Sequence, residues 1–166
     1  MALRGDFRRR WLHEDGGCGA GMSSFSAEIE VRFRDIDAMG HVNNAVYATY
    51  LEQARTRYCR EVLGVDLSTM STVLANISID YRRPVELSAG SVVVDIDVPE
   101  IGTSSLPMEY TIRAPAERDG GAGASTDSGV VVAVAESTQV TVDPETGQSR
   151  PIPDEIREAV VSYHDL

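Results

Sequence analysis

The chain has 166 residues, 42% of them hydrophobic and 25% charged, with a formal net charge of −11. That length suits one domain with a real core, and the acidity argues against a nucleic-acid partner, which wants a basic face. Cys18 and Cys59 are too few for a disulfide framework or a zinc site, and no apolar run reaches the roughly 18 residues of a membrane span.

Residues 1–24 read as a disordered N-terminal tail ahead of a single domain over residues 25–166. Arg4, Arg8, Arg9 and Arg10 precede no apolar segment, so this is not a secretory signal. The Gly-rich run from Gly16 to Gly21 cannot build a core, and Met22 is the expected translation start. The acidity and the absence of a span suit a cytoplasmic protein. The histidines lack a metal-binding spacing, and no metal or cofactor is expected.

The first strand shows in Ala27, Ile29, Val31 and Phe33, which alternate with Glu28, Glu30, Arg32 and Arg34. This is the period of a strand with one dry and one wet face. Continued, it would put Asp35 and Asp37 on the dry face, where carboxylates are costly unless paired, turned away or used in chemistry. A helix of about Ala45 to Leu63 follows, with Tyr47, Tyr50, Leu51, Ala54, Tyr58 and Val62 as its apolar stripe. Arg55, Arg57, Arg60 and Glu61 are expected to give its polar surface, Asn43 or Asn44 its N-cap and Gly64 its stop. Cys59 within it reads as a small packing residue rather than a nucleophile.

Strands then dominate. Val73, Ala75, Ile77, Ile79 and Tyr81 alternate with more polar neighbours, as do Val92, Val94, Ile96 and Val98, and then Leu106, Met108, Tyr110 and Ile112. The Ile101–Ser105 connection predicts a hairpin between the last two of these. Val130 to Val142 is a fifth strand whose first half is apolar on both faces, as an interior position requires. The Gly-, Asp- and Ser-rich run of residues 117–129 reads as a hairpin loop, and Asp154 to Val160 as a short terminal helix. The order is β-α-β-β-β-β: an α+β domain whose five antiparallel strands wrap one long helix and whose uncovered edge favours dimerisation.

A strand that hands over to a helix start brings acids close to free backbone N–H donors, which is the layout of an active site. The run Val31-x-Phe33-x-Asp35-x-Asp37-x-x-Gly40-His41-Val42-Asn43-Asn44-x-x-Tyr47-x-x-x-x-Glu52-x-Ala54-Arg55 resembles the hotdog-fold acyl-CoA thioesterases of the 4-hydroxybenzoyl-CoA thioesterase type. It is most similar to the Gly-His-Val-Asn-Asn branch, which is related to plant acyl-ACP thioesterases. Asp80-Tyr81-x-x-Pro84-Val85 fits the same pattern, and the likeness spans roughly residues 27–142.

The resemblance implies a hotdog fold, a homodimer or homotetramer with sites at subunit interfaces, and an acyl-CoA substrate. It implies that Asp37 is the general base or nucleophile and that backbone amides around Asn43, Asn44 and Ala45 form the oxyanion hole. His41 and Asn44 are further catalytic candidates; Asn43, Tyr47 and Glu52 are substrate-binding candidates. Acyl-ACP thioesterases carry an Asn two residues after this Asp, where this chain has Met39.

Each of these residues also has a structural reading. Asp37 suits a turn, and Asp35 is better read as bonding loop backbone or pairing with an Arg. His41 and Asn44 suit loop hydrogen bonding and capping. Glu52 is placed to pair with Arg55 at i,i+3. Arg82 and Arg83 suit either the phosphates of CoA or a solvated strand end. Two other functions stay open: a non-catalytic acyl-CoA-binding hotdog module, and a hotdog hydratase or dehydratase. Against the second, Asp37 and His41 lie four apart with no Asn-Pro before the His. A Gly-x-Ser-x-Gly nucleophile elbow is absent.

Overall fold

The alternation of Phe25, Ala27 and Ile29 with Ser26, Glu28 and Glu30 forms strand β1 (Phe25–Glu30), buried at every second position. The computed structural model describes residues 24–66, 70–115 and 129–166. The tail through residue 23, with Cys18 and the expected start at Met22, lies outside them, as do residues 117–128 of the expected loop.

Helix α1 spans Asn44–Glu61, close to the predicted limits. Strands β2 (Thr72–Tyr81), β3 (Ser91–Asp97), β4 (Ser105–Ala114) and β5 (Val130–Thr141) follow, and helix α2 (Asp154–His164) closes the chain. The terminal helix thus runs four residues beyond its expected end. The five strands make one antiparallel sheet in the order β1-β3-β4-β5-β2, and β3 and β4 are the expected hairpin neighbours.

The core lies between α1 and the sheet. Tyr47, Tyr50, Leu51, Ala54 and Tyr58 from the helix meet Val92, Val94 and Ile96 of β3 and Leu106, Met108, Tyr110 and Ile112 of β4. Each fully buried aliphatic side chain of this set contributes about 1.5–3 kcal/mol. Val132, Ala133, Val134 and Ala135 of β5 are all buried, which fits a strand flanked by β4 and β2.

Three expectations fail for physical reasons. Phe33 is 83% exposed. The strand ends at Glu30, and a single 3-10 turn over Phe33–Asp35 changes the period, swinging Phe33 out and Asp35 in. The alternating face of β2 is covered only in its middle: Ile77 and Ile79 pack against the core, while Val73 and Tyr81, on either side, are 46% and 45% exposed, and the register shifts between Leu74 and Asn76. Arg55, expected on the polar surface, is buried at 5% exposure. It lies four residues after buried Leu51 and four before buried Cys59, so it shares their helix face.

Cys59 is the expected packing residue: it is buried as a free thiol, and desolvation pushes it up to about 11 despite Arg55 nearby.

Candidate active site

Between β1 and α1 the chain makes two consecutive turns that separate the two aspartates. In the first, Asp35 turns inward and is buried at 3% exposure. Its Oδ2 accepts from the Arg32 backbone N–H at 2.9 Å, from Arg32 Nε at 3.2 Å and from the Tyr50 hydroxyl at 2.9 Å. Burial alone would raise the Asp35 carboxyl, but these donors and the Arg32 charge outweigh it and hold it below the ordinary value. The same contacts act in reverse on Tyr50, whose hydroxyl is raised by burial and by the adjacent carboxylate. Asp35 is therefore a structural anion, bonding loop backbone and pairing with an Arg as its structural reading expects.

In the second turn, Ile36 and Val42 face each other as an isolated antiparallel bridge. The loop they close is tied by Asp37 N–H to the His41 carbonyl at 2.8 Å and by Gly40 N–H to the Asp37 carbonyl at 3.0 Å. Gly40 has φ +83°, a left-handed conformation that favours glycine. Val42 N–H donates to Val85 at 2.8 Å, and His41 bridges Glu86, so the segment after β2 pins the loop from outside.

Asp37 sits half-buried at the mouth of this loop. Its Oδ1 accepts from Met39 N–H at 2.8 Å and His41 N–H at 3.4 Å. Among the described residues its Oδ2 has no hydrogen-bond partner, and Asp37 joins no ion pair. One oxygen is fixed by the backbone, and the other is available for chemistry.

The start of α1 supplies donors. Asn43, not Asn44, is the N-cap: its side chain accepts from Ala45 N–H at 2.9 Å. Asn43 N–H donates to the Asp35 carbonyl at 2.8 Å, and Val46 N–H to the Asn43 carbonyl at 2.8 Å. Of the three amides expected to form an oxyanion hole, those of Asn43 and Ala45 are thus already bonded. The Asn44 N–H is left unbonded among the described residues, at the positive end of the helix dipole.

Tyr81 was not singled out from sequence, yet it holds this helix end. Its hydroxyl donates to the Asn44 carbonyl at 2.8 Å, and its ring stands edge-on to Tyr47 with centroids 5.1 Å apart. Tyr47 is buried behind it, and desolvation followed by the Tyr81 neighbour raises its hydroxyl. The signal in the sequence was Tyr81 inside the Asp80–Val85 motif. Glu52 is exposed, and its carboxylate does not meet Arg55; the guanidinium turns to the Tyr110 hydroxyl instead, at 3.4 Å. Arg82 and Arg83 are exposed at the end of β2, and their backbone N–H groups donate to the Val132 carbonyl at 2.8 and 3.0 Å.

Among the described residues no cluster of His, Cys, Asp and Glu is arranged to hold a metal ion, and no helix is long and apolar enough to cross a membrane. A five-stranded antiparallel sheet packed on a long helix is the α+β architecture of the hotdog fold. Residues 31–160 match the family model of the thioesterase-like superfamily, and the chain belongs to that superfamily.

Its relatives agree. The chain is 30% identical over 134 residues to the long-chain acyl-CoA thioesterase FadM of Escherichia coli K12, covering 79% of this chain and 92% of that one. It is 32% identical over 89 residues to the uncharacterized protein YsmA of Bacillus subtilis 168; that match covers 52% of this chain and spans 59% of YsmA. Among solved structures, a thioesterase of Thermus thermophilus complexed with coenzyme A and Zn superposes with a TM-score of 0.71. It is 31% identical, over 89% of this chain and 98% of that one.

Proposed function

We propose that this protein is an acyl-CoA thioester hydrolase that uses Asp37 as its base and the Asn44 backbone amide as an oxyanion donor. The observations that support the reading are that, among the described residues, Asp37 keeps one oxygen without a hydrogen-bond partner and that the N–H of Asn44, which opens α1 seven residues on, is unbonded. In this mechanism Asp37 Oδ2 takes a proton from water as the water attacks the thioester carbonyl. The carbonyl oxygen gains negative charge and accepts from Asn44 N–H. Collapse expels the CoA thiolate, which takes up the proton, so acyl-CoA and water give the free acid and CoA. General-base assistance of this kind is worth about 10²–10⁴-fold, and one oxyanion donor about 10²–10³-fold. Direct attack by the Asp37 carboxylate through an anhydride fits the same contacts.

The Oδ1 contacts aim the carboxylate, which makes His41 a contributor through its backbone rather than its ring. Tyr47, Asn43 and Glu52 lie along the first turns of α1, where the acyl group would approach. The name of the relative FadM makes long-chain acyl-CoA the first substrate class to test. We further propose a homodimer or higher homo-oligomer that pairs copies across the β2 edge, where Val73, Leu74 and Tyr81 are 46%, 44% and 45% exposed. An apolar edge strand left open is an aggregation hazard, and a second copy covers it.

The test is thiol release across short, long and aryl acyl-CoAs with wild type and Asp37→Asn. Release by wild type and its loss in the variant support the reading. Binding of every acyl-CoA without release would instead make this a ligand-binding module.

A further inference from the structure

Phe33 and Met39 are the most exposed large apolar side chains among the described residues, at 83% and 77%. They stand one in each of the two turns between β1 and α1. Phe33 opens the inward turn, four residues before Asp37. Met39 follows Asp37 by two, and its N–H donates to Asp37 Oδ1 at 2.8 Å, so its side chain starts beside the carboxylate. One exposed apolar residue is ordinary, but a group of them around a reactive acid marks a contact surface.

Leu87, 41% exposed, joins them through the segment after β2, which passes the site in order. Tyr81 bonds the Asn44 carbonyl at the helix start, and Val85 and Glu86 meet Val42 and His41 of the Asp37 loop. Gly90 then accepts from Val31 N–H at 2.9 Å, just beyond β1. Leu87 begins the 3-10 turn Leu87–Ala89 between the last two contacts, which sets it between the Asp37 loop and the end of β1. Arg82 and Arg83 are exposed on the other side, toward α1. The surface around Asp37 thus has an apolar flank and a basic one.

A thioester reacting at Asp37 has two arms of opposite chemistry, an apolar acyl chain and an anionic CoA. The inward route for the chain is closed, because Val42, Tyr47, Tyr50, Leu51 and Val85 behind the site are all buried at 3% exposure or less. The cleft further along α1 has room for about one water molecule. A long chain therefore leaves the reacting carbonyl over the surface, where apolar cover is what removes it from water.

We infer that the substrate's acyl chain lies over the flank formed by Met39 and Leu87 and reaching Phe33, so that these side chains set a preference for long chains. The reacting carbonyl stays at the first turn of α1, and only the chain beyond it runs toward β1. This inference deepens the thioesterase reading and rests on it for the position of the carbonyl.

The test uses the full chain and two thioethers that cannot be hydrolysed, S-decyl-CoA and S-butyl-CoA, with affinities from calorimetry. Wild type is expected to bind S-decyl-CoA at least about tenfold more tightly than S-butyl-CoA. The double variant Met39→Ser, Leu87→Ser is expected to cut that ratio about tenfold, roughly the worth of two buried methylenes. Each single serine variant gives a smaller cut in the same direction, and Met39→Leu, still apolar, keeps the ratio. Exposed positions tolerate such changes, and light scattering checks the subunit number. Equal affinities in wild type, or an unchanged ratio in the double variant, overturns the inference. So does a changed subunit number with the ratio intact, which makes the flank a contact between copies. Thiol release from no acyl-CoA ends the hydrolase reading instead, and the thioether ratios still decide the flank.

Discussion

The inward turn that carries Asp35 and the outer loop that carries Asp37 lie two residues apart, yet they treat the same functional group in opposite ways. Asp35 is buried, paired with Arg32 and bonded by Tyr50. Asp37 is half-buried, held through one oxygen by backbone alone and without an ion pair among the described residues. A carboxylate whose charge is already compensated by a cation and a phenol is poorly placed to accept a further proton from water. One that is aimed by amides and open on its other oxygen suits that task. The difference arises from the 3-10 turn at Phe33–Asp35, which breaks the strand period and sends the two acids to different environments.

Substituting the two aspartates in turn separates their roles. Asp37→Asn is expected to lower kcat for thioester hydrolysis by about 10²–10⁴-fold, with a melting temperature within a few degrees of wild type. Asp35→Ala is expected to do the reverse. It removes the acceptor of three donors, two of them from Arg32, and should cost about 2–4 kcal/mol in urea unfolding, while any well-folded fraction keeps its turnover.

Acid unfolding sharpens the same point. The Asp35 carboxyl is held below its ordinary value by the Arg32 and Tyr50 contacts, against the effect of burial. Its stabilisation is therefore present above about pH 4 and lost as pH falls through the folded-state value. Asp35→Asn is expected to flatten the dependence of stability on pH in that acid window.

Smaller effects come from the helix start. Asn43→Ala removes the cap on Ala45 N–H and is expected to cost about 1 kcal/mol in stability, with a loss of activity as the Asn44 amide loses its fixed direction. Tyr81→Phe removes only the hydroxyl that holds the Asn44 carbonyl, and is expected to cost about 0.5–1.5 kcal/mol. An unchanged kcat in both variants would separate the helix end from catalysis.

Much of the fold was legible because period-two alternation maps onto burial wherever a strand is covered. Val92, Val94 and Ile96 of β3, and Leu106, Met108, Tyr110 and Ile112 of β4, fall on the core face as their spacing predicts. At β2 the pattern found the strand, but only Ile77 and Ile79 of its face pack on the core, since alternation shows which residues share a face and not how much of it is covered. Phe33 misled because one 3-10 turn changes the period within three residues. Arg55 was hidden by its charge, although its spacing from Leu51 and Cys59 placed it on the buried face. At the candidate site, the motif pointed to Asp37 and the helix start, but which amide stays unbonded depends on the caps and turns. Backbone hydrogen bonds carry no side-chain signature, so the narrowing to Asn44 needed coordinates.

The most direct test of the central claim is steady-state release of CoA thiol from a long-chain acyl-CoA by wild type, Asp37→Asn and Asp35→Asn, each confirmed folded by circular dichroism. The account predicts turnover in wild type, a fall of at least about 10²-fold in Asp37→Asn and retained turnover in folded Asp35→Asn. Near-normal turnover in a folded Asp37→Asn protein would contradict it.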